Sequence, residues 1–288
     1  MTITDRHAHG LAGHHLRQLR EKCQAATDAA FRKFKQTGPV TTAKGARRRL
    51  AVVGKSYNGI AWLHRAHVDR RGTYAAWLVP LADNDSIAVC RATLTMPAGD
   101  CAALEQRPMM IVPKHAIARG HQRLQVTDWT SVQDELKTVA LYAVAVHAIS
   151  AALGMKRFAI PAVRGLVIGD VTENILVGKT YIVRPLANRW NLVMNAWLRF
   201  EQRSSAVWMR AIEDLALGFE SSVLPEVLGA LSEELGACEF LRKPYQPGKD
   251  VEGDLWEAAR QQQTGRWAAL SAANDPTRCD PKAEGSSG

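Results

Sequence analysis

The fold is decided by residues 72–96, GTYAAWLVPLADNDSIAVCRATLTM. Both ends of this stretch are rich in β-branched and aromatic residues, and the ADND between them is typical of a tight turn. The pattern predicts the two strands of a β-hairpin. Two upstream runs, RLAVVGKS at 49–56 and GIAWLHRAHV at 59–68, have a similar composition. We therefore expect a meander of three or four strands between residues 49 and 96.

The order of the later elements predicts the fold class. A helix is expected at 114–124, and a second helix begins after Thr127 or Asp128, either of which can be its N-cap, and ends near Gly154. The chain has a helical pattern again from Asn188 onward. Between them, three apolar runs predict strands: KRFAIPA (156–162), GLVIGD (165–170) and NILVGKTYIVRPL (174–186). This segregated order predicts an α+β fold with an N-terminal helix, an antiparallel sheet with packed helices and a helical C-terminal part.

The N-terminal region is basic and amphipathic. Apolar side chains recur every three or four residues between positions 14 and 36, which predicts a helix, and residues 41–50 have the composition of a polar, basic linker. This helix can lie on nucleic acid or on the acidic C-terminal part of its own chain, and the sequence leaves both open. The residues expected to bind nucleic acid are Arg17, Arg20, Arg32, Lys33, Lys35, Arg47, Arg48 and Arg49.

Four histidines lie close together near the N-terminus, at positions 7, 9, 14 and 15. Two or three imidazoles can hold a transition metal, but we expect this stretch to be a mobile tail. No metal and no cofactor is predicted.

The formal net charge of +9 is unevenly distributed. Residues 1–60 carry 12 Lys/Arg against 3 Asp/Glu, whereas residues 211–288 carry 7 against 14. A basic front followed by an acidic end indicates a polyanionic partner, internal charge pairing, or both. The predicted domain organisation is 1–40, a basic helical segment; 41–187, an α+β core; 188–271, a helical C-terminal region; and 272–288, a disordered tail.

Several protein classes have no support in the sequence. No apolar run is long enough for a membrane span, and no apolar segment follows the first charges as in a signal peptide. The five cysteines are odd in number and lack CxxC spacing, which favours reduced thiols and a cytoplasmic location. HExxH, G-x-S-x-G and P-loop motifs are missing, so zinc proteases, acyl-transfer enzymes and P-loop NTPases are not indicated.

The helix expected at 114–124 carries the first candidate site. His115, Arg119 and Arg123 follow one another at four-residue spacing, with Gln122 beside them as a substrate-binding candidate. A histidine can transfer protons near neutral pH, and arginines can bind a phosphate whose charge grows during the reaction. The same face can also simply be solvated or pair with carboxylates.

A second candidate cluster lies in the strand VGKTYIVRPL, residues 177–186. Lys179 and Tyr181 share one face of a regular strand, while Thr180 and Arg184 share the other. We expect Lys179 to join the catalytic group, and Thr180, Tyr181 and Arg184 to bind substrate. Ordinary alternation on an edge strand explains the same pattern.

The motif PKHAIARGHQR at 113–123, with the strands that follow it, resembles small bacterial ribonuclease-toxin-type domains of the barnase, EndoU, colicin and RelE group. In several of those families a helix opens with His-Ala and carries Arg one turn later. The resemblance covers roughly residues 108–186 and leaves the upstream strands and downstream helices unexplained. It implies that His115 is the general acid or base, that Arg119, Arg123 and Lys179 hold the phosphate, and that no metal is needed.

Two main functional hypotheses follow. The chain is either a metal-independent ribonuclease of toxin or effector type, or a non-catalytic nucleic-acid-binding or assembly protein of a bacterial mobile element. A third alternative is a structural interaction protein whose basic front pairs with its own acidic end. The expected partner is nucleic acid, RNA rather than DNA, with no membrane. Trp190, Met194 and Trp197 share one helix face in the C-terminal region, which is either core or a docking surface for a protein.

Overall fold

The computed structural model describes residues 2–36, 42–69, 72–97, 102–172, 175–183 and 188–243. This part of the chain folds as an α+β protein, with helices packed on a mostly antiparallel sheet. Its helices are α1 (Asp5–Gln36), α2 (Ala43–Tyr57), α3 (Lys114–Leu124), α4 (Trp129–Ser150), α5 (Asn188–Arg203), α6 (Ala206–Leu217), α7 (Leu224–Gly236) and a final 3₁₀ helix (Glu239–Arg242). Its strands are β1 (Leu63–Asp69), β2 (Gly72–Ala82), β3 (Ser86–Pro97), β4 (Ala103–Pro113), β5 (Arg157–Pro161), β6 (Gly165–Val171) and β7 (Leu176–Val183).

The seven strands form one sheet in the order β1-β2-β3-β4-β7-β6-β5. Every neighbouring pair is antiparallel except β4 and β7, which are parallel. The sheet thus consists of two antiparallel meanders that meet at β4 and β7. Helices α3 and α4 connect the two meanders, because they lie between β4 and β5 in the chain.

The hairpin predicted at 72–96 is confirmed. Strand β2 pairs with β3, and the turn between them is closed by Asp83, whose Oδ1 accepts hydrogen bonds from the backbone N–H groups of Asp85 (2.7 Å) and Ser86 (2.6 Å). Such a side chain-to-backbone bond is the reason that Asp favours turns. The helix predicted at 114–124 has those bounds, and the N-cap of α4 is Asp128, which accepts a hydrogen bond from the Ser131 N–H.

Alternation along the strands divides the buried residues into two cores, one on each side of the sheet. Residues such as Ala76, Leu78 and Ile87 pack with α3 to α7, whereas their neighbours, such as Trp77 and Ala88, pack against α2. Helix α1 contributes to both cores, with its N-terminal half in the first and its C-terminal half in the second. It is therefore an integral part of the fold.

Two predictions for the N-terminal region are wrong. RLAVVGKS belongs to helix α2, not to a strand, and residues 41–50 are largely helical, not a linker. Helix α2 is capped by Thr42, whose hydroxyl accepts a hydrogen bond from the Gly45 N–H, and its buried residues Ala46, Val53 and Tyr57 recur at helical spacing. The third expected strand, at 59–68, is confirmed in part, because β1 begins only at Leu63.

The expected mobile tail is also wrong. Helix α1 begins at Asp5, so the four histidines at positions 7, 9, 14 and 15 are helical. Ala8, Ala12 and Leu16 are buried at four-residue spacing and hold this part of the helix on the first core. The three strands predicted between 156 and 186 are confirmed as β5, β6 and β7, and the helical region predicted from 188 is confirmed as far as Arg242. The rest of that region, to residue 271, and the tail predicted at 272–288 lie outside the described residues. No described helix is long and apolar enough to cross a membrane.

Candidate nucleic-acid interface

Helices α1 and α2 pack together and present a densely basic surface. Of the twelve Lys and Arg residues in positions 1–60, all but two are exposed to solvent. The exposed cations are Arg6, Arg17, Arg20, Lys22, Arg32, Lys35, Lys44, Arg47, Arg48 and Lys55. We call these ten side chains the basic surface. They include six of the eight cations that the sequence predicted for nucleic-acid binding.

The other two predicted cations, Lys33 and Arg49, are placed differently. Lys33 is half-buried, and Arg49 is only 6% exposed. The Arg49 guanidinium lies 5.0 Å from the centre of the Phe34 ring, a cation–π contact between α2 and α1, and burial lowers the pKa of Arg49. Assigning Arg49 to a phosphate contact is therefore wrong, because its side chain belongs to the packing between the two helices.

The acidic C-terminal helices find partners away from the basic surface. Arg65 of β1 contacts Glu213 (3.3 Å) and Asp214 of α6. Arg199 of α5 lies 2.7 Å from Glu234 of α7. Arg203 of α5 contacts both Glu233 and Glu234. These ion pairs join β1 to α6 and α5 to α7.

His115 and Arg119 of α3 both face the N-terminal part of α1. The rings of His115 and His9 lie 5.5 Å apart, centre to centre. Arg119 Nη1 is 3.2 Å from Asp5 Oδ1 and donates to Gln122 Oε1 at 2.6 Å. Two imidazoles and a guanidinium therefore meet where the two helices cross, beside a carboxylate that is largely exposed. This group is called the His9–His115 site below.

The start of α3 adds another cation near this crossing. The Lys114 side chain lies over Gly13 of α1, where even a single added methyl carbon would come within 3.0 Å of its ammonium nitrogen. Gly13 therefore admits Lys114 by lacking a side chain. Arg17 of α1 is beside the same point. The crossing of α1 and α3 is thus basic from Arg17 to Arg119.

A second pair of histidines, the half-buried His15 and the buried His121, lies at the same crossing. The rings of His15 and His121 stack with centres 5.2 Å apart, and His121 Nδ1 lies 2.9 Å from the Val126 carbonyl. Burial lowers the pKa of His121, the hydrogen bond to Val126 opposes that shift, and the neighbouring His15 adds to it. Within the described residues, no group of three or more His, Cys, Asp or Glu side chains is arranged to hold a metal ion.

The remaining predicted site residues are held by other partners. Lys179 lies at an irregularity of β7, because Ile168 pairs with Thr180 whereas Gly169 pairs with Gly178. The Nζ atom of Lys179 is 2.6 Å from Oδ2 of Asp170. The Tyr181 hydroxyl donates to the buried Glu135 carboxylate of α4 at 2.9 Å.

Tyr181 lies on the side of α3 formed by Ala116 and Gly120, whereas His115 and Arg119 face α1, so the helix separates them. Thr180 is half-buried and Arg123 is exposed. Arg184 lies outside the described residues.

His9 and Lys114 are site residues that the sequence analysis missed. The signal was present, because Ala8, Ala12 and Leu16 continue the apolar spacing of the helix toward the N-terminus. Gly10 and Gly13 argued against a helix over these residues, because glycine is unfavourable in helix interiors. In the structure Gly13 makes room for Lys114, a contact between distant parts of the chain that no local pattern predicts.

Comparison of the chain with protein-family models, with curated proteins and with solved structures found no match. The resemblance to ribonuclease-toxin-type domains stays a prediction from the sequence.

Proposed function

We propose that this protein binds nucleic acid through the basic surface of α1 and α2. The observation that carries the proposal is the exposure of ten cations on two packed helices. Nucleic-acid affinity comes largely from cations that neutralise phosphates and release counterions. The exposed carboxylates Glu21 and Asp28 interrupt the row on α1 but leave a clear excess of positive charge.

The shape of α1 suits an extended polyanion. Arg17, Arg32 and Lys35 are all exposed. Arg32 and Lys35 follow Arg17 by 15 and 18 residues, which is close to four and five helical turns, so the three side chains share one side of the helix. The distance from Arg6 to Lys35 is about 43 Å along the helix axis, at 1.5 Å per residue. Base pairs of a duplex are spaced by about 3.4 Å along its axis, so the row has the length of roughly a dozen base pairs.

The test is a binding assay with labelled RNA and DNA at a series of salt concentrations. If about six phosphates of a single strand are neutralised, the affinity should fall roughly 300-fold between 50 and 200 mM salt. The triple variant Arg17→Glu, Arg32→Glu and Lys35→Glu should abolish measurable binding. No association of the wild-type protein at about 50 mM salt would refute the proposal.

A matched control distinguishes this surface from net charge alone. The triple variant Lys156→Glu, Arg210→Glu and Lys243→Glu has the same change in net charge at three exposed positions outside α1 and α2. It should retain most of the wild-type affinity. Equal losses in the two triple variants would assign binding to the overall field of the protein and not to the basic surface.

A second candidate function is RNA cleavage at the His9–His115 site. The observation that favours it is the contact between two imidazoles, 5.5 Å apart, beside Arg119. Breaking an RNA phosphodiester needs one group that accepts a proton and one that donates a proton, and two histidines can supply both near neutral pH. Arg119 and Lys114 can stabilise the charge that grows on the phosphoryl oxygens.

The cleavage step balances without a metal or external reactant. The 2′-oxygen of the ribose bonds to phosphorus while the neutral imidazole takes its proton. The bond from phosphorus to the 5′-oxygen breaks, and the protonated imidazole gives its proton to that leaving oxygen. The products are a 2′,3′-cyclic phosphate and a free 5′-hydroxyl, and DNA is not cleaved because it lacks the 2′-hydroxyl.

Cleavage is tested with labelled RNA in the presence of EDTA. His115→Ala and His9→Ala should each lower the rate by about 10²- to 10⁴-fold. His64→Ala removes an exposed histidine of β1 and should leave the rate unchanged. Arg119→Lys should also lower the rate, because an ammonium group cannot reproduce the guanidinium geometry. Absence of cleavage by the wild-type protein would leave binding as the function.

A further inference from the structure

A cleft beside α1 is lined by aromatic and polar side chains that neither proposed function uses. It lies between α1, the segment before β1, and the start of α4, and has a volume of about 90 Å³. Two indoles, those of Trp62 and Trp129, line it together with the amide side chains of Gln18 and Gln133. Lys22, a member of the basic surface, also lines the cleft. The volume is enough for several water molecules.

Rigid elements position both indoles. The Trp62 backbone N–H donates to the Leu78 carbonyl of β2 at 2.7 Å, which fixes this residue to the edge of the sheet. Trp129 is the first residue of α4, and its ring lies 5.8 Å from the His15 ring. Both tryptophans are half-buried, so part of each indole is accessible. Fixed, partly exposed aromatic rings lose little entropy when a second flat ring stacks on them.

The polar groups of the cleft are available for a ligand. Within the described part of the chain, the amides of Gln18 and Gln133 make no hydrogen bond, and no carboxylate pairs with Lys22. An amide has both donors and acceptors, as does the edge of a nucleobase. The cleft thus combines stacking surfaces, unused amide groups and one cation.

We infer that this cleft binds an unpaired nucleobase of single-stranded nucleic acid, with Lys22 on an adjacent phosphate. The inference rests on the proposed binding function and extends it, because it gives the protein a preference for single strands. A base in a duplex is stacked and paired, so its faces cannot reach Trp62 and Trp129. Proteins that bind single strands combine aromatic stacking with a basic surface in this way.

The test measures the affinity of the full chain for a labelled single-stranded RNA, its DNA counterpart and the matching duplex. Trp129→Ala and Trp62→Ala should each weaken single-strand binding about 5- to 100-fold, the usual effect of removing one stacking side chain, and leave duplex binding unchanged. Trp129→Phe should restore part of the affinity. Trp190→Ala, which removes a half-buried indole of α5, should have no effect on binding.

A charge substitution keeps the test valid if removing a tryptophan harms folding. Gln18 is exposed, so Gln18→Glu leaves the core intact and places a carboxylate at the rim of the cleft, where it should weaken single-strand binding. The matched control is Gln36→Glu on the same helix, about 27 Å away, which should have a much smaller effect.

The outcomes separate this inference from the proposed function. Loss of binding in the Arg17, Arg32 and Lys35 triple variant, with no effect from Trp62→Ala, Trp129→Ala or Gln18→Glu, would overturn the cleft and leave the basic surface. Equal losses for single strand and duplex in the tryptophan variants would also overturn it. Binding of a mononucleotide as tightly as the oligonucleotide would assign the cleft to a free nucleotide and overturn its role on a polymer.

Discussion

Tyr181 gives the sharpest test of the structure, because the sequence pattern placed it in a substrate site and the structure places it in the core. Its side chain is 3% exposed, and its hydroxyl donates to Glu135, which is itself 2% exposed. Glu135 also accepts from the backbone N–H of Arg164 at 3.0 Å and from its Nε at 2.8 Å. Burial and the Glu135 carboxylate raise the pKa of Tyr181, so the hydroxyl stays protonated and remains a donor.

The expected cost of Tyr181→Phe follows from that contact. A hydrogen bond to a charged group contributes about 1.5–3 kcal/mol, and the two bonds from Arg164 remain. The free energy of unfolding should fall by about that amount, which lowers the melting temperature by roughly 3–12 °C for a protein of this size. Nucleic-acid affinity should not change, because Tyr181 is separated from the basic surface and from the His9–His115 site by α3.

Urea denaturation measures the loss as a lower midpoint at an unchanged m-value. In a Glu135→Gln background the acceptor is neutral, so the additional cost of Tyr181→Phe should drop to about 0.5–1.5 kcal/mol. If Tyr181→Phe keeps the wild-type stability but weakens RNA binding, Tyr181 is not a core residue that donates to Glu135 but the substrate-binding residue that the strand pattern predicted.

Three further predictions concern other buried groups. Burial lowers the pKa of His121, so the folded protein resists protonation of this residue. The free energy of unfolding should therefore be highest above the ordinary histidine pKa of about 6.5 and should fall as the pH drops below it. Urea titrations from about pH 7.5 to 5 should show a shallower fall for His121→Gln. Arg49→Ala should lower the melting temperature more than Arg48→Ala, through about 1–2 kcal/mol of lost packing, whereas Arg48→Ala should weaken nucleic-acid binding more. Gly169→Ala should destabilise the protein by about 3 kcal/mol or more in a denaturant titration, because the new methyl group would meet the Val177 carbonyl of the paired strand.

The sequence predicted correctly the elements that are fixed by hydrogen bonds between residues close together in the chain. The ADND turn is closed by a bond from Asp83 to backbone groups two and three residues away, and α4 is capped by Asp128 three residues before Ser131. The run RLAVVGKS was ambiguous, because a short apolar run fits a strand or a buried helix segment equally well. Thr42 caps its helix, and that helix buries Ala46, Val53 and Tyr57 at helical spacing.

The candidate site depends more on long-range contacts and was predicted less completely. Four-residue spacing correctly placed His115 and Arg119 on one helix, but their neighbours His9 and Asp5 come from a helix more than a hundred residues earlier. The prediction that Lys179 and Tyr181 share one face required β7 to be a regular strand. In the structure Ile168 pairs with Thr180 and Gly169 with Gly178, so the register is interrupted at Lys179. A single interruption of register redirects the side chains that follow, and the sequence carries no marker for it.

The placement of the acidic residues separates the two explanations of the charge asymmetry. If the basic front were neutralised by the acidic end of its own chain, the carboxylates of α6 and α7 would be expected on the basic surface. Four of them, Glu213, Asp214, Glu233 and Glu234, instead contact Arg65, Arg199 and Arg203. Residues 244–288, which follow the described part, carry five Lys/Arg and seven Asp/Glu, a net charge of only −2. The net charge of residues 1–60 and of that segment together is still +7, the sum of +9 and −2. If the ten exposed cations bind RNA as proposed, removing residues 244–288 should change the affinity for RNA far less than reversing Arg17, Arg32 and Lys35.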